Sequence, residues 1–121
     1  MENEILIGSN SDLIVQSITR ELQEISSTVY IRIIGDLDDV TSLHDGQLVI
    51  VDLSVYTPGI IDRIEVFKRK FPFIELIAVT YTNDELIDQM LVQRGIDQVA
   101  SKEELPGMVK QYLFPRLQSI G

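Results

Sequence analysis

The chain has no cysteine and a single histidine, His44. Without thiols there are no disulfides and no thiolate metal sites. Bases are scarce as well: 10 lysines and arginines stand against 19 acids, a formal net charge of −9. A surface of that sign repels phosphate backbones and anionic lipid, so neither nucleic acid nor a membrane surface is expected as a partner. No stretch has the length of a membrane span, and the acidic start lacks the basic opening of a signal peptide, so the expected setting is cytoplasmic. Linkers, repeats and low-complexity tracts are missing too. One domain over residues 1–121 is the expectation. Hydrophobic residues make up 45% of the chain, enough for a packed core.

That apolar content is concentrated in Gln47–Pro58, where Leu48, Val49, Ile50 and Val51 run without interruption into Asp52. Such a run predicts a strand buried on both faces, in the middle of a parallel sheet. Upstream, Glu4–Gly8 reads as a strand, followed by the polar loop Ser9-Asn10-Ser11 and a helix with Asp12 as N-cap and Ile14, Ile18, Leu22 and Ile25 on one face. Thr28–Ile34 is β-rich, with Val29, Ile31 and Ile33 alternating against Tyr30 and Arg32 up to Gly35. A short helix through Leu37, Val40 and Leu43 is expected within Asp36–His44, and Asp45-Gly46 is a turn signal.

Downstream, Pro58-Gly59 opens a helix with Ile61, Ile64, Phe67 and Phe71 on one face and Asp62, Arg63, Lys68 and Arg69 on the other. Ile74–Thr80 is a second buried strand. Asn83 or Asp84 caps a helix through Leu86, Met90 and Leu91 that Gly95 stops, and Gln98–Ala100 is a last short strand. The final helix carries Leu105, Val109, Tyr112 and Leu113 and is expected to break at Pro115. Around and beyond that proline Phe114, Leu117 and Ile120 form an apolar tail, which packs on the body, dimerises or leads into a further segment. Five strands alternating with helices predict an α/β doubly wound parallel sheet with right-handed crossovers.

In such a sheet the strand ends at Gly8, Asp52, Thr80 and Ala100 open on one edge, where ligands of open α/β sheets bind. The topology thereby gathers Ser9, Asn10, Asp52, Thr80 and Lys102 around one crevice. A carboxylate at a strand end needs charge or hydrogen bonds to meet it. Lys102 is expected to neutralise Asp52, and Thr80 to donate to whatever Asp52 carries. The plainer alternative is an ion pair and a hydroxyl that only satisfy a buried acid.

The chain resembles the receiver domains of two-component response regulators over nearly its whole length. The likeness rests on Val51-Asp52 closing the third strand, Pro58-Gly59 six and seven residues later, Thr80 after the fourth strand, and Gly95-Ile96-Asp97 through Ser101-Lys102. It implies a flavodoxin-like five-stranded sheet of order 2-1-3-4-5, with no enzymatic activity of its own. It also implies Asp52 as phosphoacceptor, Thr80 as switch hydroxyl, Lys102 as phosphate contact and the Ser54 carbonyl as a metal ligand. The implied protein-partner face lies on Asp84–Arg94 and Gln98–Leu113, and a homodimer stays open.

Four positions depart from that pattern. Ser9 and Asn10 stand where receivers carry the acid pair that holds Mg²⁺, and a hard dication wants charged oxygens. Asp12 is the one nearby substitute, but an N-cap carboxylate turns to its own amides. Val99 replaces the aromatic ring that couples to the switch hydroxyl, and Glu103 replaces a proline. The expected function is therefore an atypical receiver, or pseudo-receiver. It acts as a signalling interaction module without a Mg²⁺-dependent phosphorylation cycle, and no cofactor is expected. The alternative is a functional receiver phosphorylated on Asp52 through an unusual metal site, with Mg²⁺ as its cofactor.

A shorter resemblance covers Gly8-Ser9-Asn10-Ser11-Asp12, which is similar to the phosphate-binding opening of the aminoimidazole ribonucleotide carboxylase/mutase family. That family's Ser-Ala-His-Arg motif is missing, and His44 sits in Leu43-His44-Asp45, a surface position by expectation. The acid run Asp36, Asp38 and Asp39 offers three carboxylates to a cation, but reads more simply as a solvated loop face.

Overall fold

The computed structural model describes residues 4–26, 29–54, 58–81 and 84–118. Its strands are β1 (Glu4–Gly8), β2 (Tyr30–Ile34), β3 (Leu48–Asp52), β4 (Glu75–Thr80) and β5 (Gln98–Ser101). The helices are α1 (Asp12–Ile25), α2 (Pro58–Lys70), α3 (Glu85–Gln93) and α4 (Leu105–Gln118), with a 3₁₀ turn at Leu37–Asp39. The strands form one parallel sheet in the order β2-β1-β3-β4-β5, the flavodoxin-like order. The switch in strand order falls between β1 and β3, so their carboxyl ends splay apart into a crevice.

The unbroken apolar run of β3 is explained by its neighbours. Leu48 and Ile50 face a layer that includes Ile18 and Leu22 of α1 and Val109 and Leu113 of α4. Val49 and Val51 face Ile61, Ile64 and Phe67 of α2 and Leu91 of α3. With helices on both faces, every β3 side chain up to Val51 is buried, and alternation has no reason to appear. Edge strand β2 behaves differently: Ile33 is 50% exposed although its alternation predicts an inward residue.

Several boundaries differ from the expectation. Ser11, not Asp12, caps α1, accepting a hydrogen bond from the Ile14 amide at 3.4 Å, while Asp12 sits exposed in the first turn. The helix expected in Asp36–His44 is one 3₁₀ turn. The Asp36 carboxylate accepts from the Asp38 amide at 2.9 Å, and Val40 is then drawn fully into the core in extended conformation. Leu86 is 77% exposed because α3 docks through Ile87 and Leu91 instead. Helix α4 runs through Pro115 to Gln118. An interior proline forfeits one helix hydrogen bond and crowds the carbonyl four residues back, and the preceding turns, anchored by Leu105, Val109 and Leu113, hold the axis against that cost. Asp84 is the α3 cap, and its alternative Asn83, like Thr28 and Ile120, lies outside the described residues. Phe114 is 58% exposed, which leaves the first residue of the apolar tail unpacked. No helix among the described residues is long and apolar enough to cross a membrane.

Candidate functional site

Asp52 ends β3 half-buried, where the last ladder residues give way to the crevice. Its Oδ1 accepts from the Ser54 amide at 2.8 Å. Its Oδ2 accepts from Ser9 Oγ at 2.8 Å and from Ser54 Oγ at 3.1 Å. The Ser9 hydroxyl in turn accepts from the Ser11 amide at 3.1 Å, and the Ser9 amide donates to the Ile34 carbonyl at 3.1 Å. The β1–α1 loop is thus fastened to both β2 and the carboxylate. Its Ser11 and Ile14 amides are engaged with local hydroxyls, the opposite of an open phosphate cradle.

Thr80 closes β4 at 7% exposure, in register with Ser101 of β5. Lys102 does not neutralise Asp52. It is exposed, and no ion pair joins the two among the described residues. The reason is local: Ser101 and Glu104 form a reciprocal box. The Ser101 amide donates to Glu104 Oε1 at 2.9 Å and the Glu104 amide to Ser101 Oγ at 3.1 Å. That box braces the loop carrying Lys102 ahead of α4, and its Ser-x-x-Glu signature was legible in the sequence. The bond preceding Glu103 is trans, and Val99 packs half-buried against the α2–α3 layer.

A cavity of about 360 Å³ lies beside Asp52 at the carboxyl ends of β1 and β3. Ser9, Asn10 and Ser54 join Asp52 in its polar lining, and Leu37, Ile60 and Ile64 are among its apolar lining residues. Thr80 and Lys102 do not line it. The sheet edge therefore divides the predicted constellation in two, with Asp52 at the boundary. Gly35 allows the close approach of its loop to the rim, since a Cβ there would meet Asn10 Oδ1 at 2.8 Å. Arg63 also lines the cavity and spans from α2 to the 3₁₀ segment, 3.7 Å from Asp36 and 3.3 Å from Asp38. Two acids of the loop run are thus engaged with an arginine, and His44 is exposed. Among the described residues no group of three or more acids, histidines or cysteines is placed to hold a metal.

Tyr81, which follows Thr80 directly, was missed by the reading of motifs. Its hydroxyl is pushed up to about 12, first by burial and then by the charges of Asp52 and Glu21. An aromatic residue one step past the β4 end was the available signal.

A receiver's Mg²⁺ does not fit these residues. Ser9 and Asn10 are neutral, and Asp52 is already met by three hydrogen bonds. Mg²⁺ demands near-octahedral oxygen geometry and gives up water reluctantly, so one occupied carboxylate is a poor ligand set.

No family model matches the chain. In sequence it is 26% identical over 112 residues to the transcriptional regulatory protein RcsB of Salmonella typhi, covering 84% of this chain and 50% of that protein. The chain thus spans about half the length of the curated relatives it matches. In structure it superposes on the RcsB response regulator of Salmonella typhimurium with a TM-score of 0.73 at 23% identity, over 98% of this chain and 61% of the other. A pilus assembly protein (CpaE) of Burkholderia thailandensis gives 0.76 at 14% identity, over 90% and 96% of the two chains. An atypical orphan response regulator, described as having a phosphorylation-independent regulatory mechanism, gives 0.67 at 15% identity, over 91% and 94%.

Proposed function

Because this chain has the receiver-domain fold and matches a response regulator in sequence, we propose that it is a pseudo-receiver: a signalling interaction module whose Asp52 does not pass through a Mg²⁺-dependent phosphoryl cycle. The observation that carries this reading is the Asp52 carboxylate itself, held by Ser9 and Ser54 where a working receiver needs a metal-bound acid. Phosphoryl transfer to an aspartate needs a cation to offset charge growing on the phosphoryl oxygens. Lys102, the remaining candidate for that task, is not among the residues that line the cavity, and no ion pair joins it to Asp52 among the described residues. The orphan regulator's phosphorylation-independent mechanism supports the reading by analogy. In this reading the domain turns over no substrate, carries no resident cofactor and works in the cytoplasm. Its protein partner docks on the face formed by Asp84–Arg94 and Gln98–Leu113.

The test is a Mg²⁺ titration followed by backbone amide shifts, beside intact-mass detection of phosphoprotein after incubation with acetyl phosphate. The wild type should show no saturable Mg²⁺ shift at millimolar concentration and no added phosphate. The Ser9→Asp/Asn10→Asp variant should gain metal binding, since two added carboxylates would join Asp52 in lining the cavity. A wild-type protein phosphorylated on Asp52 at millimolar Mg²⁺ would overturn the reading in favour of a working receiver.

A further inference from the structure

Among the described residues, the Asp52 carboxylate is met by neutral donors alone. Two hydroxyls and one amide contact it, and no lysine, arginine or histidine pairs with it among the described residues. Oδ1 accepts a single hydrogen bond, so one of its lone pairs remains for a further donor. Beside it the cavity of about 360 Å³ falls within the range of small-molecule sites. Leu37, Ile60 and Ile64 add apolar side chains to its lining. Arg63 adds no net positive charge, because Asp36 and Asp38 accompany it. We infer that this cavity binds a small organic ammonium ion, its charged head on Asp52 and its apolar body against Leu37, Ile60 and Ile64.

An ammonium suits the site where Mg²⁺ does not. It needs one or two acceptors instead of an octahedron of oxygens, and its apolar body gains from apolar side chains that offer a metal nothing. Its charge meets a half-buried carboxylate at the crevice of the sheet, where a charge-assisted hydrogen bond is stronger than a neutral one. Entry is open to it as well. Arg63 and Asp36 belong to the lining, and the Arg63 pairs to Asp36 and Asp38 are substantially exposed on all three side chains, so they hold weakly. The inference rests on Asp52 being unphosphorylated, the pseudo-receiver reading, and gives that domain an input of its own.

Two indoles of opposite charge test it. Tryptamine and indole-3-acetate are titrated separately into ¹⁵N-labelled protein. Tryptamine should shift the amides of Gly8, Ser9, Leu37 and Ile64 saturably, with Kd of about 1 mM or tighter for a ligand of its size. Indole-3-acetate should leave them in place. Asp52→Asn should weaken tryptamine by about tenfold or more, as expected for losing a charged acceptor. Ile60→Trp, checked as folded by its amide spectrum, should abolish the shifts by filling the cavity. Equal response to both indoles, shifts centred elsewhere, or no saturable response would overturn the inference. Phosphorylation of Asp52 by acetyl phosphate would instead sink the pseudo-receiver reading, and the tryptamine titration does not depend on that result.

Discussion

Asp97 Oδ2 accepts from Lys68 Nζ at 2.7 Å and from the Leu76 amide at 2.8 Å, while the same ammonium donates to the Ile74 carbonyl at 2.7 Å. Three segments meet in that cluster: the end of α2, the start of β4 and the turn before β5. Removing the carboxylate strands the Leu76 amide and takes the counter-charge from an ammonium whose side chain is only 17% exposed, leaving it the Ile74 carbonyl alone. Asp97→Ala should therefore cost about 2–3 kcal/mol in urea unfolding, and Asp97→Asn about half as much, because it keeps an acceptor for Leu76. A loss below about 0.5 kcal/mol for the alanine variant would show that the cluster is ornamental. Nothing local announces this residue, since Lys68 and Asp97 lie 29 positions apart. Asp52 is the reverse case. Its position was legible because an acid closes an apolar run, but its partners were not. Topology and the receiver resemblance both point to Lys102, whereas the Ser101–Glu104 box and the hydroxyls of Ser9 and Ser54 decide the outcome over a few ångströms.

Helix α3 ends in a motif that the sequence states almost in full. Gly95 adopts φ 110°, its amide donates to the Val92 carbonyl at 3.1 Å, and the Ile96 amide donates to the Leu91 carbonyl at 3.1 Å. Leu91 and Ile96, the flanking apolar pair, are both buried. This is the Schellman arrangement, in which a residue without Cβ tolerates the left-handed turn. A Cβ at Gly95 would also stand 3.3 Å from Lys68 Cγ. Gly95→Ala should cost about 1–2 kcal/mol by chemical denaturation, with the loss in the unfolding midpoint and an unchanged slope. An alanine variant as stable as the wild type would mean that the turn relaxes freely. Stops made by backbone chemistry are legible in this way. The continuation of α4 through Pro115 and the collapse of the Asp36–His44 helix to one turn are not, because docking decides both. Leu105, Val109 and Leu113 hold one axis, and burial of Val40 pulls the other chain straight.

At the scale of the whole molecule, the strand order and the two core layers follow from runs such as Leu48–Val51, while the distribution of charge follows from which side of each helix the core leaves out. Helix α3 shows the difference. Asp84, Glu85, Asp88 and Gln89 read together as an acidic outer side, but their roles separate in the fold. Asp84 is committed to the cap, accepting from the Leu86 and Ile87 amides at 3.0 and 3.4 Å. Asp88 is turned partly inward, with Oδ1 buried and unpartnered. Its carboxyl is held above the ordinary range, first by burial and then by Asp84, Glu104 and Glu85. Glu85 and Gln89 are the exposed positions, beside Leu86 at 77% and Val92 at 51% exposure. On the proposed partner face, then, contact falls to Glu85, Gln89 and the apolar side chains near them. A chain of net charge −9 favours a partner with a basic patch, whose approach is steered by charge and slowed by salt. Glu85→Lys/Gln89→Lys reverses that face, leaves the Asp84 cap alone and removes one of the negative charges that bear on Asp88, so the fold should hold. In parallel pull-downs from native lysate, wild type should retain a partner at about 50 mM salt that elutes at several hundred millimolar, where the Debye length falls to a few ångströms. The double variant should retain less than about a tenth of that partner while keeping wild-type thermal stability. Equal recovery by the two proteins would remove this face from the interaction, whatever the fate of Asp52.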